Sequence, residues 1–200
     1  YYYLTKPYAK RVLLAIIKAA LDDNRMLRNL YKESERLAQK AREIRRGLSY
    51  MYSSLFRYKT IRQAKRIAAV ISAAFPRPRE VVLGFTELMI NAVEHGNLGI
   101  PFHEKKEHLL NGTWEDELEF RLSQPQYADK FATVNLTRTD RDISIQITDE
   151  GEGFDWKKFV AMDPARADAP NGRGIFLAHM DFDKLQYLGN GSSVICSKRI

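Results

Sequence analysis

Glu87 and Asn91 stand four residues apart in the run Glu87-Leu-Met-Ile-Asn91-Ala-Val-Glu-His95-Gly96. A helix would stack them one turn apart on a single face. Asn offers a neutral oxygen to a magnesium ion that keeps several of its waters. Glu at that spacing can take a proton from an incoming nucleophile, as a general base does. A second cluster, Asp149-Glu-Gly151-Glu-Gly153, closes a stretch that alternates apolar and polar residues. A carboxylate buried at the end of a strand is costly without a donor, and the exocyclic amine of adenine is one such donor. Gly151 and Gly153 would let the backbone approach the base closely. A third cluster, Gly172-Arg173-Gly174, opens a helix whose free N–H groups and dipole can receive phosphate. Arg173 could pair with the same anion. Taken singly, a polar helix face, a structural aspartate and a glycine at a helix start would produce the same patterns. Taken together, the three clusters imply a site for ATP and Mg²⁺.

The elements that must position these residues are legible from periodicity. A helix over about residues 79–95 carries the first cluster, with Val81, Phe85, Leu88 and Ala92 on its apolar face. Glu87, Asn91 and Glu94 project well away from that face, and Gly96 suits a C-terminal stop. His95 reads as a helix-terminal or packing histidine rather than a ligand. Strands are expected at 132–138 and 142–149, joined by a tight turn around 139–141. Ile143, Ile145, Ile147 and Asp149 then share one face by period two, which points Asp149 into the domain. Residues 155–171, with Pro164 and Pro170, read as a connecting loop. A helix from Gly174 to about Met180 follows, and two strands, 184–188 and 193–198, flank the turn Gly189-Asn190-Gly191. Upstream, 55–58 reads as a short strand and 62–75 as a helix ended by Pro76-Arg-Pro78. Residues 97–131 form a long polar excursion in which no chemistry is legible. Within it, 102–110 makes a short helix closed by Asn111-Gly112, and Thr113 with Asp116 signals a capping box for a helix through Ser123, broken by Pro125.

From Tyr8 to Tyr50 there is no proline and one glycine, Gly47. Stepping by three then four residues gives Leu13, Ile16, Ala20, Asp23, Leu27, Leu30, Ser34, Leu37, Ala41, Ile44 and Leu48. Only Asp23 and Ser34 break this apolar seam, which reads as a heptad repeat rather than a general amphipathic stripe. A helix of about 40 residues is roughly 60 Å long, more than one small domain covers, so a parallel homodimeric coiled coil is expected over 8–50. A helix folded back on its own domain is the competing reading.

With 200 residues, 44% of them hydrophobic and 28% charged, the chain has the composition of an ordinary globular protein. Its single cysteine, Cys196, has no internal disulfide partner, so a reducing cytoplasm is the expected setting. No apolar run is long enough to span a membrane. The first residue is Tyr1 rather than Met, which reads as a fragment or a processed product. Residues 1–79 hold 19 Lys/Arg against 5 Asp/Glu, whereas residues 80–200 hold 13 against 20. The basic charges are spread along the first segment without a DNA-reading motif, so a solvated basic helix is preferred to a nucleic-acid surface.

In order and separation, Glu87-xxx-Asn91-Ala92-xx-His95-Gly96, Asp149-x-Gly151-x-Gly153-Phe154 and Gly172-Arg173-Gly174 resemble the N, G1 and G2 boxes of the GHKL ATPase superfamily. The nearest likeness is to the anti-sigma-factor serine kinases, over residues of about 55–200. The resemblance implies an α+β Bergerat fold, a two-layer sandwich with helices on one face of a mixed sheet. It also implies that Glu87 is the base, Asn91 the Mg²⁺ ligand and Asp149 the reader of adenine. Gly151, Gly153, Gly172 and Gly174 would shape the pocket, and Ser192 or Ser193 loosely matches the family's hydroxyl near the base. Tyr3-Leu-Thr-Lys6-Pro7 and the helix after it resemble the last strand and helix of a response-regulator receiver domain, with Lys6 as its phosphate-sensing lysine. That gives three expected regions: a receiver remnant at 1–7, a linker helix at 8–50 and an ATP-binding domain at 55–200 with an insertion at 97–131.

The function expected is an ATP-dependent protein serine kinase and switch, acting on an antagonist protein, a sigma factor or both. The alternative is an ATP-gated binding or dimerisation module with little turnover, which needs the same pocket. A histidine autokinase is disfavoured because no histidine precedes His95.

Overall fold

The computed structural model describes residues 10–156 and 174–200. Lys6 and the rest of 1–9, and the loop with Pro164, Pro170, Gly172 and Arg173, lie outside the described residues. The chain divides into two compact units, Tyr1–Gly47 and Leu48–Ile200.

The first unit is helical. Helix α1, Lys10–Ser49, begins in it and extends without a break, as expected for a stretch with no proline and no interior glycine before Gly47. Along its described side chains, Leu37 and Ile44 of the apolar seam are exposed, as is Tyr31.

The second unit is a two-layer α+β sandwich. Strand β1 (Ser53–Tyr58) leads into α2 (Ile61–Ser72). The start of α2 is a full capping box: the Thr60 hydroxyl accepts from the Gln63 N–H, and the Gln63 side chain accepts from the Thr60 N–H. After a 3₁₀ turn at Pro78–Glu80 comes α3 (Val82–Asn91), which continues as a π-helical turn, Ala92–Asn97. The helix expected over 79–95 is thus three pieces rather than one.

Three helices follow in the excursion: α4 (Phe102–Asn111), α5 (Trp114–Ser123) and α6 (Pro125–Ala128). Gly112 closes α4 in the left-handed region at φ 70°, which glycine tolerates without strain. The capping box expected at Thr113 is not formed; its hydroxyl instead meets His108 Nδ1 at 2.9 Å. Strands β2 (Ala132–Arg138) and β3 (Asp142–Thr148), helix α7 (Gly174–Asp181), and strands β4 (Lys184–Leu188) and β5 (Ser193–Arg199) complete the domain.

The sheet order is β1-β2-β3-β5-β4, and every pairing is antiparallel. The expected two-layer α+β sandwich is therefore present, but its described sheet is antiparallel rather than mixed. Alternation decides which face is covered. Val134 and Leu136 of β2, Ile143, Ile145 and Ile147 of β3, and Val194 and Cys196 of β5 are buried, while Asn135, Ser144 and Gln146 take the other face. The buried face meets α2 through Ala64, Ala68 and Ile71, and α3 through Phe85, Leu88 and Met89. Those α2 positions recur at i, i+4 and i+7, as one helical face requires.

Helices α3 and α7 come unusually close. A Cβ built on Gly84 would lie 2.6 Å from the Ala178 Cα, and the Gly84 N–H donates to Asp181 Oδ2 at 2.8 Å. This contact fixes the two helices that carry Glu87 and Gly174.

Candidate active site

A cavity of about 1000 Å³ opens between α3, the end of β3, the start of α7 and the excursion. That is the upper end of the range for small-molecule sites. Glu87, Asn91, Asp149, Gly153 and Gly174, five of the residues singled out by spacing, line it. Gly151 stands directly behind Asp149, while Gly172 and Arg173 lie outside the described residues.

Glycine spacing is explained by close approach. A Cβ on Gly96 would sit 2.3 Å from the Asp149 Cγ, and one on Gly151 would sit 2.4 Å from the Gly96 oxygen. Gly96 is therefore not the left-handed helix stop expected of it. It is the position where the π turn presses against the adenine-reader candidate. The π turn is stitched by the Leu98 N–H to the Val93 oxygen at 2.9 Å, and the buried Tyr58 hydroxyl donates to the Met89 oxygen just before it. Such turns concentrate at functional sites. Asn97, buried beside it, accepts the Glu150 N–H at 2.8 Å and so ties the turn after β3 to the end of α3.

Gly153 has φ 79° and a Cβ there would strike the Asn190 oxygen at 2.3 Å. Asn190 clamps this segment, accepting the Phe154 N–H through its backbone and donating to the Glu152 oxygen through its side chain. Of the two candidate hydroxyls, Ser192 lines the cavity. Ser193 is engaged elsewhere, with Thr148 and Gln146.

In the cavity wall Asp149 accepts the Gly151 N–H on Oδ1 at 2.9 Å. Among the described residues nothing donates to its other oxygen. Burial pushes its carboxyl up to about 6, against the lowering pull of Gly151 and Lys130. An acceptor half-satisfied and walled by Ile147, Tyr187 and Val194 suits an amine on a flat apolar ring. Glu87 and Asn91 share the α3 wall, and a Cβ on Gly174 would sit 2.9 Å from the Glu87 Oε2. The first N–H groups of α7 therefore open beside Glu87. A carboxylate, a neutral amide oxygen and a helix N-terminus form a donor set that fits a Mg²⁺–phosphate group.

Glu94, which periodicity sets only away from the apolar face of α3, is 2% exposed and ion-paired with Lys105. The excursion, in which no chemistry is legible from sequence, is not silent: Phe102, Lys105, Trp114, Tyr127 and Lys130 all line the cavity. Arg121 fastens it by donating to the Leu98 oxygen at 3.0 Å, the Gly99 oxygen at 3.2 Å and Glu117 at 2.6 Å. The signal that could have found it was an unexplained acid, Glu94, on a helix that needs a cation nearby. His95 packs as expected, with Nδ1 2.6 Å from the Ile100 oxygen and its pKa lowered by burial.

A search of curated proteins found no match. The family model for the histidine kinase-like ATPase domain matches residues 56–198, which runs from β1 to β5 and takes in every lining element of the cavity. With that span, a two-layer α+β sandwich and an ATP-sized cavity between the expected boxes, the chain belongs to the histidine kinase-like ATPase domain family, of the GHKL type.

Proposed function

We propose that this ATP-binding domain is a protein serine kinase and switch, acting on an antagonist-type partner, a sigma factor or both, in the cytoplasm and under an upstream receiver domain. The observation that carries the reading is that Glu87 and Asn91 of α3 and Asp149 after β3 line one cavity, with the first turn of α7 against Glu87. Asp149 accepts the adenine amine, and Ser192 and Tyr187 sit around the base. The triphosphate then runs toward Asn91 and the N-terminus of α7. Glu87 receives the proton of a serine hydroxyl presented by the partner, which frees its oxygen to attack the terminal phosphorus as the bond to the β–γ bridging oxygen breaks and ADP leaves. Bound Mg²⁺, held by Asn91, would supply neutralisation of the phosphate charge. None of residues 10–49 of α1 is a histidine, which supports a partner hydroxyl over a histidine on that helix as acceptor.

The exposed Leu37 and Ile44 on the heptad seam of α1 support pairing with a second copy of the chain, since a coiled coil buries just such positions. No helix among the described residues is long and apolar enough to cross a membrane.

Incubation with labelled ATP, Mg²⁺ and candidate partners tests the kinase. Transfer of label to a partner serine by wild type, and its loss in Glu87→Ala with ATP still bound, is expected. ATP binding with no partner labelled would remove the kinase claim and leave an ATP-gated binding module, in which wild type and Glu87→Ala capture the partner equally.

A further inference from the structure

Glu94 is a carboxylate with 2% exposure, three residues past Asn91, and burial raises its pKa. A charge so placed needs a cation and further donors to be tolerated. The cation comes from the excursion: Lys105 Nζ on α4 donates to Glu94 Oε2, and the Lys105 side chain keeps 18% of its surface exposed. Its ammonium also stands 5.5 Å from the centre of the Trp114 ring, and both residues line the cavity. An ammonium has three N–H donors, and Glu94 takes one.

The charges lining the cavity fall into two neighbourhoods. Lys130 acts on Asp149. Glu94 feels Lys105, Glu87 and Lys65, so these four charges neighbour one another. Lys65 is exposed, whereas Lys105 is anchored by a buried carboxylate and an aromatic face.

We propose that Lys105 is a phosphate-facing cation of the nucleotide cavity, held in place by Glu94, so that the 97–131 excursion completes the triphosphate end of the site. The inference rests on the reading of this cavity as an ATP site. It gives the excursion a chemical role: it supplies from α4 a positive charge that α3 and its π turn, carrying Glu87 and Glu94, do not.

The test must separate a phosphate ligand from a mere partner of Glu94. Affinities of ATP–Mg²⁺ and of adenosine are measured by calorimetry on the full chain for wild type, Lys105→Met, Lys105→Arg and the double variant Glu94→Gln with Lys105→Met. A lost charge-assisted hydrogen bond lowers ATP affinity about 10- to 100-fold, while adenosine binding is expected to change less than about threefold. The double variant removes the orphaned carboxylate, recovers thermal stability and keeps the ATP defect; Lys105→Arg holds ATP near wild type. Parallel weakening of ATP and adenosine, or full recovery of ATP affinity in the double variant, would overturn the proposal. Wild type binding neither ligand would overturn the nucleotide reading itself, which is a different failure from wild type binding both while Lys105 has no effect.

Discussion

Replacing Asp149 by Asn is expected to stabilise the nucleotide-free domain while costing it ATP. Burial raises the Asp149 carboxyl from 3.8 to about 6, with Gly151 and Lys130 pulling the other way. A carboxyl whose folded pKa exceeds its unfolded one holds its proton more tightly in the folded chain. Its favourable contribution is complete below about pH 4 and is lost as the pH climbs through about 6. At about 1.36 kcal/mol per pKa unit, ionisation costs the fold up to about 3 kcal/mol at neutral pH, and partial exposure trims this to roughly 2–3 kcal/mol. Asn keeps the shape and an oxygen for the Gly151 N–H, now 2.9 Å from Oδ1, without a charge to desolvate.

Melts at pH 4 and at pH 7.5 read the difference. At the higher pH the Asn variant is expected to melt about 5–10 °C above wild type, and at the lower pH the gap should nearly close. ATP affinity is expected to fall about 10- to 100-fold at pH 7.5, because a charged acceptor for the adenine amine becomes a neutral amide. Wild-type affinity should itself weaken as the pH drops below about 6, where the proton competes with that amine. An Asn variant no more stable than wild type at pH 7.5, or a gap that ignores pH, would refute the reasoning.

Gly96→Ala places a methyl group 2.3 Å from the Asp149 Cγ; overpacking there is expected to cost about 1–3 kcal/mol and to weaken ATP binding, and a variant with wild-type melting and affinity would contradict it. Lys105→Met leaves Glu94 buried and uncompensated, so chemical denaturation should show a loss of about 3–5 kcal/mol, most of it regained by adding Glu94→Gln. Leu37→Glu with Ile44→Glu should convert a dimer to a monomer in light scattering, without altering the ATP affinity of the second unit; an unchanged mass would remove α1 as the dimer seam. Cys196 is fully buried and burial pushes its thiol up, so a water-soluble thiol reagent at pH 8 should label it only through unfolding. Saturating ATP should slow that labelling further, and rapid native-state labelling would mean the β5 core is not packed as described.

Much of the architecture was written in period and punctuation. Ile143, Ile145 and Ile147 alternate cleanly, Gly112 stops α4 in the left-handed region, and the Gly189 and Gly191 turn at φ 55° and 97° joins two strands as its glycines suggest. What periodicity could not carry was anything set by a distant neighbour. A helix wheel puts Glu94 beside Glu87 and Asn91 and so gives all three the same polar face, but burial depends on what lies above the wheel. Here α4 and α5 lie above it, brought there by Arg121 reaching the Leu98 and Gly99 oxygens, a contact with a sequence separation no local pattern encodes. The same blindness hid why Gly96 is glycine. A helix stop requires φ, which is a local property; Gly96 answers instead to Asp149, 53 positions downstream. The spaced clusters could therefore name Glu87, Asn91, Asp149, Gly153 and Gly174 of the cavity, while the cost of one buried acid, Glu94, is what ties the excursion to it. An acid that the fold buries must be matched by a cation, and following that requirement from Glu94 leads to Lys105, where packing on Trp114 and charge meet at the cavity wall.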